Sequence, residues 1–216
     1  QQHGTTIILV THHRDEFVNA DRIIRLDNGR IVQSARGNTA SIPEMDESGT
    51  AQEDNPIAKS NIANGASKPT SAVPIIEIHN LIYQYPNSSK PVLDKLSITI
   101  NEGETVAITG HNGAGKTTLA RLLCALEQPQ SGSITVNTIP VARQRANGNM
   151  QSLKRADREK LRATIGYVMQ HPERQLFAET VAEDIAYGPR NQHLDETQVS
   201  ERVNPVSYTH LTLRRL

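Results

Sequence analysis

The sequence predicts an α/β fold, and three observations carry that reading. Thr6 to Val10 (TIILV) is a continuous apolar run of the kind that forms a buried parallel strand. Thr105 to Thr109 (TVAIT) is apolar and β-branched and runs straight into a glycine-rich loop. An apolar-striped helix follows, from Lys116 to about Leu126, with Leu119, Leu122, Leu123 and Leu126 on the stripe.

The elements follow in chain order. After the first strand, Asp15 to Ala20 suits a short helix. Arg22 to Leu26, the turn residues Asp27-Asn28-Gly29, and Arg30 to Val32 form a hairpin. From Ser34 to Val73 no period survives, and Ser, Asn, Ala, Pro, Gly, Asp and Glu dominate. Such a stretch buries too little apolar surface to offset its ordering entropy, so it reads as a flexible linker. Ile76 to Tyr85 alternates like an edge strand, and Leu96 to Ile100 is its neighbour. Ser133 to Val136 is a short strand, Ile139 to Asp157 a polar insertion of mixed loop and helix character, and Ile165 to Met169 a strand ending at Gln170. Thr180 caps a helix to Tyr187, with Glu183 completing a capping box.

Composition narrows the class. The 216 residues carry 23 basic and 23 acidic side chains, so there is no global basic field of the kind a nucleic-acid binder carries. One cysteine, Cys124, cannot form an internal disulfide, and it suits core packing on its helix better than reactivity. A reducing compartment follows as the expectation. No apolar run approaches the roughly 18 residues of a membrane span. Hydrophobic content of 36% with 3% aromatics suggests that part of the chain is unfolded or missing.

The chemistry sits in Gly110-His111-Asn112-Gly113-Ala114-Gly115-Lys116-Thr117, which matches G-x-x-x-x-G-K-[ST]. Glycine at 110, 113 and 115 lets successive N–H groups converge on a phosphate, where a Cβ would obstruct them. Asn112 and Ala114 lend their backbone to the same curl, and the helix adds its positive amino end. Lys116 supplies a point charge to the β and γ phosphates, Thr117 a hydroxyl for Mg²⁺, and Thr118 a further hydrogen bond. The ligand expected is ATP with Mg²⁺. Tyr83 and Tyr85 lie on one strand face, where an aromatic ring could stack on adenine or pack in the core.

With the downstream string IGYVMQHPERQLFAETVAEDIAYGP, the chain resembles an ATP-binding-cassette (ABC) transporter ATPase, over Ile75 to about Asn191 and separately over Thr5 to about Gln33. The resemblance implies that Tyr85 is the adenine-stacking residue, Gly110 to Thr118 the Walker A loop, and Gln170 the glutamine that contacts Mg²⁺ and attacking water. The string QHPERQLFAETVAED is especially similar to ATPase subunits of energy-coupling-factor (ECF) transporters, which power uptake of vitamins and of cobalt or nickel. ILVTHHRDEFVNADRIIRLDNGRIV resembles the end of such a domain, with His12 as the histidine that contacts the γ-phosphate and His13 as its competitor.

The order is inverted relative to the family, because the histidine precedes Walker A. Two domains in tandem explain this. Residues 1–33 are then the carboxy-terminal end of a first ABC ATPase domain, 34–73 the linker, and 74–204 the amino-terminal half of a second. The tail from 205 to 216 carries VSYTHLTLRR, which resembles a translated sequencing adaptor; the alternative is a natural strand. No LSGGQ-like string and no apolar run ending in Asp-Glu occurs, so His12 and Lys116 belong to different composite sites under this reading. The intact parent is then expected to hydrolyse Mg-ATP, and this chain not to. Implied partners are transmembrane transporter subunits at the cytoplasmic face of the membrane and the paired ATPase domain of the parent, with no nucleic acid. A soluble tandem ABC protein acting on ribosomes or DNA is the alternative, and an unrelated P-loop binding module without hydrolysis the third reading.

Overall fold

A computed structural model describes residues 4–11, 19–36 and 73–211, the side chains of 205–211 excepted. It divides into two compact units, Gln1–Ser152 and Leu153–Leu216, each described by itself.

The first unit holds two sheets. The first contains β1 (Ile7–Val10), β2 (Arg22–Asp27), β3 (Arg30–Arg36) and β6 (Thr105–Thr109), in the order β1-β6-β2-β3. Both β1 and β2 run parallel to β6, one on each side. Val106, Ala107 and Ile108 are buried, as expected for a central strand covered on both faces. The β2–β3 hairpin turns at Asn28 (φ 47) and Gly29 (φ 74), the two positive angles a type I′ turn needs.

The second sheet is antiparallel, in the order β5-β4-β7-β8-β9, with β4 (Pro74–Tyr83), β5 (Leu93–Asn101), β7 (Ser131–Val136), β8 (Ile139–Gln144) and β9 (Met150–Gln151). Ile76, Ile78, Ile98, Ile100, Ile134 and Val136 fill its buried face. β4 is therefore interior rather than an edge strand. Its alternation reports one buried and one exposed face, and an antiparallel sheet can have that at any strand. The insertion from Ile139 likewise becomes two further strands, because Ile139, Val141 and Ala142 supply buried positions on β8.

Helix α1 (Lys116–Leu123) is shorter than its apolar stripe. Cys124 closes it, Ala125 turns to φ 54, and Leu126 is left 53% exposed. Strand β3 reaches Arg36, past the expected linker boundary. Residues 37–72 lie outside the described residues, as do residues 12–18, which contain most of the expected short helix; Asn19 and Ala20 are not helical.

The second unit comprises α2 (Arg155–Thr164), a 3-10 turn (Pro172–Gln175), α3 (Val181–Asn191) and α4 (Glu196–Leu211). Ala186, Val199 and Val203 form its buried cluster with Ile185 and Leu194 against them. Thr180 caps α3 by accepting the Glu183 N–H at 3.3 Å, and its hydroxyl donates to the Glu183 carboxylate at 3.0 Å. The strand expected at Ile165–Met169 is absent. A strand needs a hydrogen-bonded neighbour, none pairs with it among the described residues, and Val168 is 76% exposed. Residues 205–211 continue α4 as helix rather than strand.

Candidate nucleotide site

Strand β6 ends at Thr109, and the chain then curls through Gly110 to Gly115 into α1. Two of the glycines are fixed by close packing. A Cβ at Gly110 (φ 146) would stand 2.3 Å from the Leu26 carbonyl oxygen. One at Gly115 (φ 98) would stand 2.6 Å from Leu93 Cδ2 and 2.9 Å from the Val92 carbonyl oxygen. Gly113 (φ 84) differs: it needs glycine for its backbone angle alone, and its Cβ would meet nothing within 4 Å. The loop is thus clamped at both ends and open at Gly113.

Charge agrees with that shape. Helix α1 has no side-chain cap and no acidic residue in its first turn, so its amino-terminal N–H groups stay available to an anion. Lys116 Nζ donates to the carbonyls of Gly110 at 2.7 Å and His111 at 2.9 Å, bridging the loop. Burial pushes the Lys116 ammonium below its ordinary pKa. Thr117 is exposed at the loop and Thr118 is buried. A hard cation such as Mg²⁺ takes oxygen ligands and is bound through one or two protein groups together with substrate phosphates. The exposed Thr117 hydroxyl fits that mode, and no cluster of three His, Cys, Asp or Glu that could hold a metal occurs among the described residues.

Tyr85 is brought to the same place. Its hydroxyl lies 3.0 Å from the Thr118 hydroxyl, and its ring packs edge-on against Tyr83, centroids 5.0 Å apart. The two tyrosines have separate fates. Tyr83 is buried and donates to Glu127 at 3.0 Å; burial first, and that hydrogen bond second, push its hydroxyl up to about 12. Tyr85 remains 37% exposed, so part of its ring is free. Arg121 holds the Glu127 carboxyl below its usual range, with Tyr83 adding to the effect. Burial raises the Cys124 thiol, in keeping with packing rather than reactivity.

One contact had no signal in the sequence. His111 Nε2 meets Asp27 Oδ1 at 2.6 Å, while His111 Nδ1 faces the Asn112 carbonyl at 2.6 Å. Asp27 reads in sequence as a turn residue, and no spacing rule joins positions so far apart. Gln170 belongs to the second unit, exposed at a bend after Met169. His12 lies outside the described residues, although β1, which leads to it, runs beside β6.

A parallel strand, a glycine loop and a helix amino terminus bridged by a lysine define the P-loop class of phosphate-binding folds. The family model for ABC transporters matches residues 93–216, and the chain belongs to that family, with its mixed α/β ATPase fold. The chain is 44% identical over 229 residues to "Putative ABC transporter ATP-binding protein" of Bifidobacterium longum, covering 94% of this chain and 29% of the relative. It is 40% identical over 129 residues to energy-coupling factor transporter ATP-binding protein EcfA1 of Latilactobacillus sakei, covering 60% of this chain and 42% of the relative. Among solved structures it resembles cbiO1 from Clostridium perfringens, part of the ABC transporter complex cbiONQ, with 31% identity and a TM-score of 0.51, covering 63% of this chain and 50% of that one. The chain spans less than half the length of these two curated relatives.

Proposed function

We propose that this chain is part of the ATP-binding and ATP-hydrolysing subunit of an ABC importer of the energy-coupling-factor type, working with transmembrane subunits at the cytoplasmic face of the membrane. The observation that carries the proposal is the loop itself, clamped at Gly110 and Gly115, open at Gly113 and bridged by Lys116.

In this reading the N–H groups of Asn112 to Thr118 receive the phosphates. Lys116 exchanges its two loop carbonyls for phosphate oxygens, at little desolvation cost because it is already part-buried. Tyr85 stacks on the adenine, held by Thr118. Thr117 and Gln170 are the residues that would hold a Mg²⁺ ion, which would supply neutralisation of phosphate charge when bound with the nucleotide. Gln170 orients the attacking water, and His12 serves a γ-phosphate in the first domain's site.

The tandem arrangement belongs to the same proposal. A match to the Bifidobacterium longum relative spans 94% of this chain within 29% of a longer protein, which is compatible with a first domain's end joined to a second domain's beginning. Leu176, Phe177, Val181 and Tyr187 are exposed, with Phe177 and Tyr187 packed edge-on at 4.6 Å. Such an apolar patch suits a protein partner, and the energy-coupling factor relatives make a transmembrane subunit the partner of choice. No helix among the described residues is long and apolar enough to cross a membrane.

The test is steady-state ATP turnover. The longer parent is expected to hydrolyse Mg-ATP, and its Lys116→Ala variant to lose at least 100-fold in rate. The present chain is expected to show none; turnover from it that Lys116→Ala abolishes would overturn the two-domain assignment.

A further inference from the structure

Tyr85 follows the end of β4, and its place is fixed from α1 and from residues 124–130, which join α1 to β7. We propose that Gln130 and Glu127 in that segment are positioning residues for the Tyr85 ring, Gln130 by holding its backbone and Glu127 by holding Tyr83 against it. The proposal rests on the nucleotide reading above and assigns residues that act on the nucleotide only through Tyr85.

The backbone tie stands in for a strand. Ile82 pairs with Ser131 where β4 meets β7, and the Gln130 N–H reaches the Ile82 carbonyl at 3.0 Å. Pro129 has no N–H to carry the ladder further. The Gln130 side chain takes over. Its Oε1 accepts the Gln84 N–H at 2.8 Å, and its Nε2 donates to the Gln84 carbonyl at 2.8 Å. A primary amide presents a donor and an acceptor side by side, as a peptide group does, so the residue between the two tyrosines is held on both its polar groups. The Val92 N–H donates to the Tyr83 carbonyl at 2.7 Å, and the Ser88 N–H to the Tyr85 carbonyl at 3.0 Å. Gln130 is exposed, so its amide is not there to fill the core.

The side-chain ties lead to one helix from two directions. Tyr83 packs edge-on with Tyr85 and donates to Glu127 Oε2 at 3.0 Å. Glu127 Oε1 in turn accepts from Arg121 of α1 at 2.8 Å. The Tyr85 hydroxyl meets Thr118 in the first turn of the same helix. Because α1 starts at the phosphate loop, ring and loop are referred to a single element. A ring released from these ties loses stacking on a base while the loop keeps its shape.

The experiment titrates the full chain with Mg-ADP and with Mg-tripolyphosphate, which has phosphates and no base. Gln130→Ala is expected to weaken Mg-ADP about three- to fivefold, short of the roughly tenfold loss in Tyr85→Ala, and to leave Mg-tripolyphosphate unchanged. In the Tyr85→Ala background, Gln130→Ala is expected to add no further loss. No loss, an equal loss for both ligands, or the same loss in both backgrounds overturns the proposal. The ring is also read without ligand. The chain has no tryptophan, so Tyr85→Trp supplies a single emitter, and adding Gln130→Ala or Glu127→Ala is expected to lower its fluorescence anisotropy. Unchanged anisotropy in both overturns the proposal even where nucleotide binds. Lowered anisotropy with no saturable binding of either ligand by the unaltered chain supports the positioning and counts against the nucleotide reading alone.

Discussion

The hydroxyl of Tyr85 lies 3.0 Å from that of Thr118, joining the residues just after β4 to the first turn of the helix that follows the phosphate loop. The contact orients a part-exposed ring beside the loop. If the ring stacks on a base, its aromatic face and not its hydroxyl supplies the energy. Tyr85→Phe is therefore expected to keep Mg-ADP affinity within about threefold, and Tyr85→Ala to lose about tenfold, the equivalent of ~1.4 kcal/mol. Equal losses in the two variants, measured by equilibrium titration, would place the contribution in the hydrogen bond.

The loop glycines are expected to differ in a set order. Gly110→Ala and Gly115→Ala force a Cβ against backbone or a buried side chain and also strain the backbone. Each should cost about 2–3 kcal/mol of stability by chemical denaturation. Gly113→Ala meets open space and carries only the angular cost, about 1 kcal/mol. A Gly113 cost equal to the other two would contradict the clamped-ends geometry.

The Tyr83–Glu127–Arg121 cluster sets a pH window. Glu127 has its folded pKa lowered, by Arg121 first and Tyr83 second. Its contribution is present above the ordinary value of 4.5 and is lost as pH falls below it. Tyr83 has its folded pKa raised from 10.0 to about 12, so its contribution is complete below pH 10.0 and fades as pH rises toward 12. Denaturation midpoints followed across pH should show both limbs in the unaltered chain. Glu127→Gln should flatten the acid limb, and Tyr83→Phe the alkaline one.

The Arg22–Glu104 pair is shielded, with 14% and 10% of the two side chains exposed. Burial lowers the Arg22 pKa while Glu104 opposes the shift. Removing one partner strands the other, so Glu104→Ala is expected to destabilise the first unit by roughly 2–4 kcal/mol, read from urea midpoints. A change under 0.5 kcal/mol would mean the pair is solvated.

The conformation of the glycine loop was legible because its requirement is written in the backbone: glycine where a Cβ collides at 110 and 115, and glycine where φ is positive at 113. The β2–β3 turn was legible for a similar local reason, at Asn28 and Gly29. What the sequence hid was tertiary. The interior place of β4 and the flanking of β6 by β1 and β2 depend on which strands meet, and alternation does not encode that. Ile165–Met169 has strand composition but no neighbour to pair with among the described residues, whereas Ile139–Gln144 looks polar and yet finds one in β7. The Asp27–His111 contact needed the hairpin and the loop already in place.

The central claim is that the loop from Gly110 to Thr118 binds nucleotide phosphates through Lys116. Equilibrium titration of Mg-ATP against the chain and its Lys116→Ala variant tests it most directly. Lys116 contributes charge-assisted hydrogen bonds of about 1.5–3 kcal/mol, so saturable one-to-one binding should weaken about ten- to a hundredfold in the variant. Equal affinity in the two proteins, or no saturable binding in the unaltered chain, would contradict the claim.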